Sequence, residues 1–93
     1  MKMEAKIINV NEGLVKNKLD AIIKEEGLKC DSALNYGDIL ALALNNLPPK
    51  YVGTDLGYLY IQLEAADPRN ARDIDHAVRR AIKIVEENPR HNC

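Results

Sequence analysis

Pro48 and Pro49 stand directly behind an apolar run, in the stretch ILALALNNLPPKY. No polar residue interrupts residues 39–44. Ala and Leu outnumber β-branched residues there, so the run reads as a helix buried all round rather than as a parallel strand. The prolines forbid its continuation. Each lacks an N–H donor, and the residue before each is pushed out of the α region. The chain must therefore turn a rigid corner, after a helix that starts between residues 32 and 35 and ends near residue 46. Asp38 suits the first turn of that helix, where the dipole and orphan N–H groups favour a carboxylate. Asn45 and Asn46 can satisfy carbonyls at its other end.

Three of the four tyrosines, Tyr51, Tyr58 and Tyr60, follow the corner closely, and the chain has no Trp and no Phe. With aromatics at 4% and apolar residues at 46%, the core must be aliphatic. A chain of 93 residues points to one domain. At that size only about 60–65% of the unfolded surface is buried, and small domains often gain core by oligomerising.

Two further helices are legible. One spans residues 10–26, with Asn9 as cap, Glu12 completing a partial capping box, and Gly27 as the residue beyond its end. Leu14, Val15, Leu19, Ile22 and Ile23 make its apolar stripe. The last helix begins with Asp67 as cap and Pro68 at its first position, and Asn88-Pro89 ends it. Ile74, Val78, Ala81, Ile82 and Val85 form its inner face. Between them, residues 58–63 read YLYIQL. Alternation at period two suggests a strand with Leu59, Ile61 and Leu63 on one face. Its simplest partner is a second copy of itself across a dimer axis. An extended or helical segment without ladder pairing is the alternative. The fold expected is mainly α: a small domain of three main helices with one short extended segment, spanning residues 9–89, between tails at 1–8 and 90–93.

Thirteen basic and fourteen acidic residues give a net charge of -1, which argues against a generic nucleic-acid binder. The sequence has neither a signal-peptide pattern nor an apolar run long enough to span a membrane, so a cytoplasmic protein without membrane contact is expected. Cys30 and Cys93 are expected to be reduced thiols.

Opposite the apolar stripe of the last helix lies a cationic one. Arg72, His76, Arg79 and Lys83 share a narrow arc, with Arg69 and Arg80 beside it. Arginine suits phosphate because its planar fork donates two parallel hydrogen bonds. The plainer reading is a solvated face with local pairs, Asp75 to Arg79 and Lys83 to Glu87. The tyrosines also have two readings. They can stack on nucleobases, or they can fill a core or dimer contact with each hydroxyl at a polar edge. Cys30, Cys93, His76 and His91 make a poor structural zinc set, and only His91 and Cys93 are close in sequence. No Ser-His-Asp order, HExxH or P-loop appears, and nothing says that Asp38, Asp73 and His76 meet. No enzyme activity is expected.

The stretch from Asp38 through Leu44, Asn45, Leu47, Pro48, Pro49 and Tyr51 to Val52 resembles the signature of the late competence development protein ComFB family: an Asp, an apolar helix, then Leu-Asn-x-Leu-Pro-Pro-x-Tyr-Val. The resemblance extends over roughly residues 9–89. It implies a small, mainly helical, dimeric protein from a family named for an operon linked to DNA uptake. It also implies a receptor for a cyclic dinucleotide, cyclic di-GMP or cyclic di-AMP, that passes a second-messenger signal to a downstream protein. Family members often carry a zinc-holding cysteine cluster just before the Asp. Here only Cys30 of it is present, with Ser32 and Asn35 at other positions, so neither metal nor cofactor is expected. A symmetric dimer can offer matched cations and rings to a ligand with two phosphates and two bases. Lys50, Arg69, Arg72 and Arg79 are the candidate phosphate contacts, and Tyr51 and Tyr60 the candidate stacking rings. A protein-interaction adaptor without a small ligand is the alternative.

Overall fold

A computed structural model describes residues 6–28 and 33–88. The order is β1 (Ile7–Asn9), α1 (Val10–Glu26), α2 (Ala33–Asn45), β2 (Tyr51–Gly53), α3 (Thr54–Ala66) and α4 (Pro68–Glu87). Cys30, His91 and Cys93, with the thiol and zinc readings that rest on them, lie outside the described residues.

The core forms where α1, α2 and α4 meet, and it is aliphatic throughout. Val10, Val15, Leu19, Ala43 and Val78 are fully buried, and Ile39 and Ala81 nearly so. Helix α1 spans the stretch its caps mark. Asn9 accepts from the Asn11 N–H at 3.2 Å, and Gly27, at φ 76°, returns its N–H to the Ile23 carbonyl at 2.9 Å. Only a residue without a Cβ adopts that φ at little cost. Helix α2 is less enclosed than its sequence suggests. Ile39 and Ala43 are buried, Leu40, Leu42 and Leu44 are half-buried, and Ala41 is exposed. It also begins at Ala33, which puts Asp38 in the second turn rather than the first.

The Pro-Pro corner is clamped to the start of α1. Asn11 donates from Nδ2 to the Pro48 carbonyl at 2.6 Å, and Lys50 donates its N–H to Asn9 Oδ1 at 3.0 Å. The Val10 N–H donates to the Lys50 carbonyl at 2.7 Å. Helix α1 thus finds partners for N–H groups that lack one inside the helix. At the other side of the corner, Asn46 Nδ2 satisfies the Leu42 carbonyl at 2.8 Å. Beyond it, β2 pairs antiparallel with β1, Ile8 opposite Val52 and Asn9 opposite Tyr51. Ile7 and Ile8, within the stretch read as an N-terminal tail, are therefore part of this ribbon.

The sequence reading of residues 58–63 as a strand is corrected: they lie inside α3. The residues of α3 that face the protein are Thr54, Gly57, Ile61 and Glu64, at helical spacing. Gly57 lies directly under the Ile8 side chain, and Ile61 presses on Gly13, where an added Cβ would stand 2.8 Å from Ile61 Cδ1. The two-strand ribbon is built from residues 7–9 and 51–53, within one chain. Helix α3 hands over to α4 through Asp67. Its N–H bonds the Glu64 carbonyl at 3.2 Å, and its carboxylate accepts from the Arg69 N–H at 3.0 Å.

Candidate functional site

The cationic stripe of α4 is divided between two neighbours. Arg79 turns toward α1. Its guanidinium donates to both oxygens of Glu26, at 3.2 and 2.9 Å, and to Asp75 at 3.0 Å. Lys18 reaches the same Asp75 oxygen at 3.1 Å. The hydrogen bond from Arg79, with its charge, holds the Glu26 carboxyl below its ordinary value. Burial pushes the Asp75 carboxyl up, but the bonds from Lys18 and Arg79 outweigh it and hold this group low as well. Arg79 is therefore a tie between helices, with its fork already occupied.

Arg72, His76 and Arg80 lean the other way, toward the corner. Together with Asp73, Ala77, Asn46, Leu47 and Pro48 they line a groove of about 410 Å³. Among the described residues, Arg72 and Arg80 make no ion pair. Asp38 lines a separate groove with Leu42, Ile84 and Asn88, so Asp38, Asp73 and His76 do not converge.

On the far side of the corner, Lys50 reaches across to Glu64 of α3 at 2.9 Å. Tyr60 lies one helical turn before Glu64 and is 37% exposed. The Glu64 carbonyl in turn accepts from Asn70 Nδ2 at 3.2 Å, beside Arg69 in the first turn of α4. Lys50 and Tyr60 thus lie on either side of Glu64, and Arg69 stands in the first turn of α4. Tyr51 stands at the base of β2 and is 61% exposed. The structure brings Lys50 to Glu64, one turn from Tyr60, and sets Arg72 in the groove at the corner, while Arg79 belongs to a different contact.

Helix α3 presents a face the sequence did not reveal. Leu56, Leu59, Tyr60 and Leu63 recur at the spacing of one helical face, and the three leucines are 51–57% exposed. Tyr58 is the most exposed tyrosine at 82%. None of these three tyrosines fills the core of the protomer. The fourth, Tyr36, clasps α2 to α1 by donating its hydroxyl to Asp20 at 2.7 Å. Burial and then that acceptor push its phenol up to about 12. Nothing in the local sequence around Tyr36 marks this contact.

Among the described residues, no three His, Cys, Asp or Glu groups gather to hold a metal ion. No described helix is long and apolar enough to cross a membrane.

Comparison with known proteins agrees with this architecture. The chain is 25% identical over 87 residues to a competence protein ComFB of Bacillus subtilis (strain 168), covering 94% of this chain and 89% of that protein. The solved structure of the late competence protein ComFB from Bacillus subtilis superposes with a TM-score of 0.80 at 25% identity, covering 94% of this chain and 96% of the other. The family model described as late competence development protein ComFB matches residues 8–89. The corner, the helices that clamp it and the closing helix all fall within that match, and the chain belongs to the ComFB family.

Proposed function

We propose that this ComFB-family protein is a non-enzymatic receptor for a cyclic dinucleotide, cyclic di-GMP or cyclic di-AMP, and that it works as a homodimer signalling to a downstream protein in the cytoplasm. The observation that carries the reading is the α3 face. Leu56, Leu59 and Leu63 stand in water beside Tyr60, while the chain has few other ways to enlarge its core. Fully burying one such leucine contributes about 1.5–3 kcal/mol. A second copy covering the face recovers this from several side chains at once, against an association cost on the order of 4–15 kcal/mol.

Two copies joined along α3 double each group that borders it. Tyr60 and Lys50 of each protomer then flank the joint, with Arg69 nearby and Tyr51 and Arg72 around the corner. Such a set supplies paired cations for two phosphates and rings for two bases. Lys50 reaches a phosphate by exchanging its pairing with Glu64. Arg79, held by Glu26 and Asp75, is the least suited of the six candidates. Isothermal titration calorimetry with cyclic di-GMP and cyclic di-AMP tests the reading. Saturable heat with one of them is expected, lost when Lys50 and Arg69 become Ala. No heat with either ligand at high concentration ends it.

The same leucine face also favours the alternative, an adaptor that docks a protein partner and takes no small ligand. It predicts partner capture unchanged by the Lys50 and Arg69 substitutions.

A further inference from the structure

We infer that the groove between the Pro-Pro corner and α4 is an anion site for one phosphate-type group, held by Arg72, His76 and Arg80. The inference deepens the receptor reading by naming where one phosphate would sit. It rests on that reading only for the identity of the natural anion.

The arginines of α4 differ in what they hold. Seven residues after Arg72, Arg79 has its fork filled by two carboxylates. Arg72 and Arg80 face the other way and have no ion pair among the described residues. They are eight residues apart, about 12 Å along the axis, with His76 midway between them on the same side. An anion above His76 is thus within reach of both long side chains. The opposite wall is Asn46, Leu47 and Pro48. It is rigid because Pro48 is tied by its carbonyl to Asn11 and followed by a second proline. A volume of about 410 Å³ accommodates a phosphate group with its first attached atoms.

Sulfate is a suitable probe because it is a tetrahedral dianion like a phosphate group. Amide shifts of the full chain are followed by NMR during sulfate titration at constant ionic strength. Saturable shifts confined to residues 46–47 and 72–80 are expected. Arg72→Ala and Arg80→Ala are each expected to bind several-fold more weakly than the wild type. Shifts spread over the surface, or an affinity unchanged by either substitution, overturn the proposal. Failure of the receptor reading looks different: the sulfate response persists, and cyclic dinucleotides give no heat.

Discussion

Leucine occupies two opposite environments in this molecule. In the meeting of α1, α2 and α4, Leu19 is fully buried among Val15, Ile39 and Val78. On α3, Leu56, Leu59 and Leu63 carry the same apolar side chain and are at least half in water. The first region is complete within one protomer. The second is an apolar face of helical spacing that the described residues leave uncovered, and contiguous patches of that kind mark interaction surfaces. Under the proposed reading, stability and association are written on different helices, and substitutions can separate them.

The largest effect is expected inside the finished region. Leu19→Ala should cost about 2–5 kcal/mol, read as a lowered midpoint in urea, because the deleted side chain leaves a cavity that three helices enclose. Leu59→Ala should change protomer stability by less than about 0.5 kcal/mol, measured at concentrations where the protein is monomeric. Equal effects at the two sites would erase the contrast.

The corner comes next. Asn11 is buried and donates to the Pro48 carbonyl, so Asn11→Ala removes the donor and leaves a part-buried acceptor without it. A loss of about 1–3 kcal/mol is expected. Amide exchange should show faster opening at residues 47–53 than elsewhere.

These regions differed in how plainly the sequence announced them. Helices α1 and α4 were legible because Asn9, Gly27, Asp67 and Pro68 punctuate them and their apolar residues keep a helical spacing. Helix α3 was not. Its inward positions are held by Thr54, Gly57 and Glu64 as well as Ile61, so no apolar stripe marks the buried face. The leucines that do catch the eye point outward, and Tyr58, Tyr60 and Gln62 alternate with Leu59, Ile61 and Leu63 as in a strand. The ribbon of residues 7–9 and 51–53 is too short for a period to show. Within the candidate site, the cations of α4 were visible but their division was not. Glu26, which captures Arg79, lies 53 residues away in the chain. The clamp of Asn9 and Asn11 on the corner was equally hidden, since it joins residues about 40 positions apart.

The smallest effect belongs to the exposed tie between α1 and α4. The Glu26 and Asp75 carboxyls are held below their ordinary values of 4.5 and 3.8. A carboxyl lowered by folding stabilises the native state above its unfolded value and loses that contribution as the pH falls through the lowered native one. The tie should therefore be silent from pH 6 to 8 and weaken only under acid. Arg79→Ala should return both carboxyls toward their ordinary values in an NMR titration, with little change in the urea midpoint at neutral pH. A midpoint that falls as far as in Leu19→Ala would move α4's exposed face into the stability account.

Sedimentation equilibrium of the wild-type chain beside a Leu59→Lys, Leu63→Lys double variant tests the unfinished α3 face most directly. The account predicts a wild-type dimer at micromolar concentration and a folded monomer, helical by circular dichroism, for the variant. A wild-type protein that stays monomeric to hundreds of micromolar, or a variant that dimerises as before, would contradict it.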